Sequence, residues 1–225
     1  LLLPTNVQRS KLEIGNDDRP FSVMPTRPAP EKARPHAIET VAEILKNSAQ
    51  PLIIAGLGAH MANAGETLEQ LGDRIGALFA TSARGKDMFH DNPYNLGIIG
   101  SFSHSAARRF IEQADCVLVF GAGLNFWTTS FGTFVPSVPL IQVDTRRSNI
   151  GRWCNIDFAL VGDADLVAKQ LLDVLPERAE DEKTFRLPEI RQFIAGFDIA
   201  QEFQTAHTAR TVDPRSLAIA LDKLL

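Results

Sequence analysis

The stretch Leu52–Gly65, LIIAGLGAHMANAG, holds the first residues whose types and spacing suit a chemical task. An apolar run ends in Gly56 and Gly58, and small residues follow, as in a strand–turn–helix that cradles phosphates. A dinucleotide fingerprint, Gly-x-Gly-x-x-Gly, needs its glycines for a tight turn, for close approach to a pyrophosphate and for close helix–strand packing. Gly56 and Gly58 fill the first two positions, but Met61 stands at the third. The carboxylate that reads a ribose should end the second strand, and that strand ends Thr81-Ser82-Ala83. The NAD rule therefore fails at two points. Two readings stay open for Gly56 and Gly58: a βα turn passing tightly over the sheet edge, or a nucleotide crevice of a different design.

Other strand ends carry similar groups. Gly121, Ala122 and Gly123 follow one apolar run, Asp144 ends another, and Gly162-Asp163 end a third. Carboxylates at such ends can accept ribose hydroxyls or adenine amines. Asp163 also stands where it would cap the helix ADLVAKQLL, and Asp144 is as suited to forming a turn as to binding a ribose. Phe126, Trp127, Phe131 and Phe134 form an aromatic group in a strand-end loop. It can close a crevice, pack on a neighbouring subunit or lie under flanking domains. His60, His90 and His104 share no metal spacing and read as structural or surface residues.

The elements that must position these residues follow from periodicity. HAIETVAEILKNSA places Ile38, Val41, Ala42 and Leu45 on one helical face, and NAGETLEQLGDRIG does the same with Leu68, Leu71 and Ile75. SAARRFIEQA and ADLVAKQLLDVL read as further helices. PLIIAG, ALFATSA, DCVLVFGAG, PLIQVDT and IDFALVGD read as strands that are apolar throughout. Strands alternating with helices, each apolar on both sides, imply a parallel sheet covered on both faces. A helical stretch is expected over 188–207, and another begins at TVDPRSLAIALDKLL with Asp213 as its N-cap and Pro214 in its first turn.

Composition narrows the function classes. The 225 residues are 44% hydrophobic and 22% charged, with net charge −4. That supports a packed core and argues against nucleic acid as a partner. No apolar run reaches the roughly 18 residues of a membrane span, and no signal peptide is visible. Two cysteines, Cys116 and Cys154, make neither a disulfide framework nor a metal motif, which fits a cytoplasmic setting. The opening LLLPTN, without an initiator Met, suggests a fragment or a processed chain.

Several segments match one family in order and spacing. LLLPTNVQ and the Pro-rich run after Arg19-Pro20 come first, then the long stretch from AQPLIIAG to LGIIGSF with Gly85-Lys86 and HDNP. ADCVLVFGAGLN, PLIQVDTRRSNIGRWCNIDFALVGDA and DPRSLAIALDKLL follow. Together they resemble the central domain of thiamine-diphosphate-dependent enzymes of the acetolactate synthase, oxalyl-CoA decarboxylase and benzoylformate decarboxylase group. The resemblance implies an α/β, Rossmann-like three-layer domain with a parallel sheet of about five or six strands, of the DHS-like NAD/FAD-binding type. It divides the chain into a preceding-domain tail and linker (1–35), the central domain (36–176), a charged spacer and helix (177–207) and the opening of a following domain (208–225).

The same resemblance implies a parent lyase or transferase acting on 2-oxo acids, a homodimer or homotetramer with flanking pyrimidine- and diphosphate-binding domains. Its thiamine diphosphate and Mg²⁺ sites, an activating Glu and a Gly-Asp-Gly…Asn segment, would lie outside this chain, which then carries no catalytic or metal residue of its own. Some family members hold FAD or ADP in this domain. Carried over by position, Asp144 and Thr145 match a ribose or adenine contact, Asp163 and Ala164 an adenine-side turn, and Gly56, Leu57 and Gly58 a turn near the phosphates. Gly121 and Ala122 open a triplet that reads Gly-Ala-Arg in nucleotide-binding members. Here Gly123 replaces the Arg and supplies no charge; Arg84, Arg146 and Arg147 are either substitutes or plain surface residues. The alternative is a stand-alone Rossmann-like nucleotide-binding module.

Overall fold

The computed structural model describes Asn6 and residues 9–11, 29–133, 137–178 and 184–224. Most of the preceding-domain tail, Pro20, Pro25 and Pro28 of the Pro-rich run, Phe134 and residues 179–183 of the charged spacer lie outside the described residues. The fold is a six-stranded sheet in the order β3-β2-β1-β4-β5-β6, every pair parallel. The strands are β1 (Pro51–Ala55), β2 (Leu78–Thr81), β3 (Asn95–Ile98), β4 (Cys116–Phe120), β5 (Leu140–Asp144) and β6 (Phe158–Val161).

Alternation within each strand explains the unbroken apolar runs. Ile53, Phe79, Leu118 and Ile141 point to one face, and Leu52, Ile54, Leu78, Val117 and Val119 to the other. Both faces are sealed, so the strand positions are almost all apolar. The first face is covered by α1 (Pro35–Lys46), α3 (Gly65–Ile75) and α5 (Ala164–Val174). Pro35 sits in the first turn of α1, and Ile38, Val41, Ala42 and Leu45 form its buried stripe. Helix α3 ends where Gly76 takes a left-handed φ of +69°, a conformation glycine adopts without a Cβ clash. Helix α2 (Leu57–Met61) is a single turn between β1 and α3.

The second face is covered by α4 (Ser105–Ile111) and by α6 (Pro188–Ala195), with α7 (Pro214–Asp222) beyond them. The chain reaches this face by wrapping under the amino ends of the strands. Arg186 clips the wrap: its Nε donates to the Ala77 carbonyl at 2.6 Å, it pairs with Asp73, and its guanidinium lies 5.0 Å from the ring centres of both Phe79 and Tyr94. Phe185 and Ile190 are then buried in the second core. Among the described residues, no helix is long and apolar enough to cross a membrane.

Two elements differ from the periodicity reading. β3 is a sixth strand inside LGIIG; it is short, half-buried at the sheet edge, and Gly97 takes φ +74° within it, so it lacks a strand-like run. The helix expected over 188–207 stops at Ala195. Gly196 follows, Asp198 caps a short 3₁₀ turn (Ile199–Glu202), and residues 203–213 run irregularly to α7. Among the described residues β4 and β5 are joined without a helix, in keeping with the strand-end loop read from the sequence. If the wrap belongs to the core, Phe185→Ala will cost about 3–5 kcal/mol of unfolding free energy in urea titrations. A loss under about 1 kcal/mol would show that it does not.

Candidate functional site

Strand order reverses between β1 and β4, and in open α/β sheets ligands bind at the carboxyl ends beside such a switch point. Here the two turns lie on each other. Gly56 N donates to Phe120 O and Gly58 N to Gly121 O, both at 2.9 Å. A Cβ on Gly56 would stand 2.5 Å from Gly121 O, one on Gly58 2.7 Å from Gly121 Cα, and one on Gly121 2.5 Å from Ala59 N. Gly121 also holds φ +62°. Backbone packed on backbone accounts for all three glycines. A third turn joins them: Ser82 N donates to Ala55 O at 2.9 Å, and a Cβ on Gly85 would meet that oxygen at 2.6 Å. Met61, at the fingerprint's third position, ends α2 and is exposed, while Ala59 is fully buried and makes the close approach.

The carboxylates are engaged nearby. Asp163 caps α5: its Oδ1 accepts from Asp165 N at 3.1 Å and Leu166 N at 3.3 Å. Its own N–H donates to Glu31 O at 2.8 Å, which ties the described end of the Pro-rich run to β6. Ala164 is buried in the first core. Asp144 Oδ1 accepts from Arg146 N at 2.8 Å and Asn149 Nδ2 at 3.0 Å, so it shapes its own turn. Thr145, Arg84, Arg146 and Arg147 are exposed. Gln142 escaped the sequence reading. Buried in β5, it donates from Nε2 to Ala122 O at 3.1 Å and accepts at Oε1 from Gly151 N at 2.9 Å, joining two strand-end loops. The signal was present as one polar residue inside PLIQVDT.

The aromatic group is larger than the sequence suggested. Phe126, Trp127 and Phe131 are exposed, and Phe102 from the turn after β3 and Trp153 from the loop after β5 join them. Ring centres are 6.0 Å apart for Phe102–Trp127, 5.1 Å for Phe126–Trp127, 5.6 Å for Phe126–Phe131 and 6.5 Å for Phe126–Trp153. The loop beneath is fixed: Asn125 Oδ1 accepts from Trp127 N at 3.1 Å and Thr128 N at 3.2 Å, and Ser101 N donates to Trp127 O at 2.8 Å. Ser130 and Phe131 hold φ of +47° and +59°, strained for residues with a side chain.

Beside Phe102, His104 caps α4 by accepting from Ala107 N at Nδ1, 3.1 Å away. Phe197 stacks on its ring at 4.1 Å, and Glu202 accepts from the Ser105 N–H and hydroxyl. Burial pushes the His104 pKa down, and the Glu202 charge partly opposes that. His60 and His90 are exposed. Burial pushes the Cys116 thiol up to about 12, with Asp115 adding to the shift, and burial raises Cys154 as well; neither is an activated thiolate. Among the described residues no three His, Cys, Asp or Glu side chains are grouped to hold a metal.

Residues 38–171 match the family described as thiamine pyrophosphate enzyme, central domain. The chain belongs to that family. It is 35% identical over 147 residues to human 2-hydroxyacyl-CoA lyase 1, covering 64% of this chain and 24% of that protein. It is 28% identical over 176 residues to a probable acetolactate synthase large subunit of Methanocaldococcus jannaschii, covering 77% and 30%. A sulfoacetaldehyde acetyltransferase of Roseovarius nubinhibens is 31% identical over 150 residues, covering 64% and 25%. This thiamine pyrophosphate enzyme domain therefore spans between a quarter and a third of these relatives' length. A putative thiamin diphosphate-dependent enzyme from Mycobacterium smegmatis shares the fold with TM-score 0.58 at 17% identity, over 72% of this chain and 31% of that one.

Two adjacent glycines separate the packing account from a general need for glycine. Gly121→Ala should cost about 3 kcal/mol or more, from left-handed strain and backbone overlap. Gly123→Ala, where a Cβ meets nothing within 4 Å, should stay within about 0.5 kcal/mol of the parent. Equal effects in thermal unfolding would refute the account. A second test is pH. His104 takes up a proton less readily folded than unfolded, so its contribution is whole above about pH 6.5 and declines as pH falls from there through the depressed folded value. His104→Asn, which keeps a capping side chain, should flatten that part of the stability–pH curve.

Proposed function

We propose that this chain is the central domain of a larger thiamine-diphosphate-dependent lyase or transferase acting on 2-oxo acids, and that its part there is structural. The observation that carries the reading is the family match over 38–171, together with relatives more than twice its length whose names include a lyase, a synthase and a transferase. In the parent, thiamine diphosphate with Mg²⁺ supplies the electron sink for carbanion chemistry. Among the described residues no three His, Cys, Asp or Glu side chains are grouped to hold Mg²⁺, and the reading puts both groups in the neighbouring domains. The work of this chain is to hold a rigid sheet between pyrimidine- and diphosphate-binding neighbours in a cytoplasmic homodimer or homotetramer.

The geometry also disfavours FAD or ADP at the switch point. Space that three glycines would leave for phosphates is taken by their own backbones, and one oxygen each of Asp144 and Asp163 is committed to a turn or a cap. Thermal shift tests this. Saturating FAD, ADP, NAD, or thiamine diphosphate with Mg²⁺ should leave the melting temperature of the chain unchanged, whereas a ligand at a hundred times its Kd would stabilise the fold by about 2.7 kcal/mol. A rise with FAD or ADP would replace the structural reading with a nucleotide-binding one and make Asp144 and Asp163 the residues to substitute. Turnover of 2-oxo acids by the natural longer polypeptide, dependent on thiamine diphosphate, tests the parent's activity.

A further inference from the structure

The aromatic row at the carboxyl edge is more than loop packing. Phe102, Phe126, Trp127, Phe131 and Trp153 come from three separate strand ends, and each keeps between 42% and 71% of its surface exposed. Monomeric surfaces scatter large apolar residues singly and rarely group them. Phe131 is the most exposed of the five and holds a strained left-handed backbone. Strain kept to present a ring to solvent points to a use for that ring. Among the described residues, the β4–β5 connection that carries three of these rings contains no helix.

We infer that the row is the docking face for the domain that follows this one in the parent polypeptide, the body that α7 opens. The inference rests on the reading that the chain is one part of a longer enzyme. The path of the chain selects the occupant. After α6, Phe197 stacks on His104 and Glu202 binds Ser105, so residues 197–202 lie against the start of α4, whose cap His104 is two residues along the chain from Phe102. Asp213 then fixes the start of α7. Its carboxylate accepts from Ala206 N at 2.9 Å, Arg215 N at 2.9 Å and the Arg215 guanidinium at 2.7 Å. Arg215 itself lies 4.2 Å over the Phe203 ring. Helix α7 leaves this anchor with Leu217 and Leu221 half exposed. The preceding segment is a poorer candidate, since its described end is tied to Asp163 just past β6 and to Gln170, at the opposite edge of the sheet from β3 and Phe102. Arg152, 5.3 Å from the Trp153 ring centre, is a charged neighbour of an otherwise apolar row, so the matching face is apolar with an acceptor at its border.

The sequence holds only two tryptophans, and both belong to the row. Hydroxyl-radical footprinting read by mass spectrometry follows Trp127, Phe131 and Trp153 one at a time. The comparison is between this chain, the natural full-length polypeptide, and full-length forms cut after residue 225 or before residue 29. The inference expects several-fold slower oxidation of all three rings in the full-length protein. That protection should persist without the preceding part and vanish when the following part is removed. Phe131→Asp in the full-length protein should speed oxidation of Trp127 and Trp153 again. Protection that depends on the preceding part, or that appears in this chain alone as its concentration rises, assigns the face to another domain or to a second copy and overturns the inference. Rings oxidised equally in all forms overturn it too. A natural polypeptide lacking turnover with thiamine diphosphate would instead sink the parent reading, with the footprint still deciding the interface.

Discussion

The contact on which the rest depends is the crossing of two backbones at the carboxyl ends of β1 and β4. Gly56 and Gly58 lie against Gly121 closely enough that a methyl group at any of the three would overlap main-chain atoms. Interiors transmit such overlaps because they are packed near crystalline density. The crossing draws β1 and β4 into register from Pro51↔Cys116 to Ala55↔Phe120. It also sets the height from which the other strand-end loops leave the sheet. Gln142 then bolts the β4 turn to the loop after β5. Three glycines and one amide thus do at this edge what a bound cofactor's phosphates do in related sheets, which is to hold separate turns at a fixed spacing.

Much of this was legible in the sequence, for a physical reason. Parallel strands buried on both sides favour apolar residues at nearly every position, so β1, β2, β4 and β5 announce themselves as largely apolar runs. The helices on the first face announce themselves by a stripe such as Ile38, Val41, Ala42 and Leu45. Asp163 could be read as a cap because its place ahead of ADLVAKQLL is a local pattern. The missing fingerprint glycine was legible as well, although not its explanation, which is that Ala59 in a single-turn helix supplies the close approach instead.

What escaped depends on residues far apart in sequence. Arg186 reaches Ala77 and Phe79 across more than a hundred positions, and no local pattern marks it. β3 pairs only at an edge, so its apolar content never had to rise to the level of a central strand. Phe102 and Trp153 sit in unrelated turns and become neighbours of Phe126 and Trp127 only through the sheet order. The break after Ala195 is tertiary in origin, because Phe197 and Glu202 find partners on α4 that a continuous helix would carry them past.

The wrap under the sheet has a consequence in time. Every strand has left the ribosome by residue 161, yet the second face is not sealed until Phe185 and Ile190 arrive. At usual synthesis rates that interval is on the order of seconds, and collapse of a chain this size is far faster. A nascent chain therefore holds a formed sheet whose second face is covered only in part, by α4, a state that invites chaperones or clumping. The clip at Arg186 closes that window, so the last segment of the domain to be made is the one that ends its exposure.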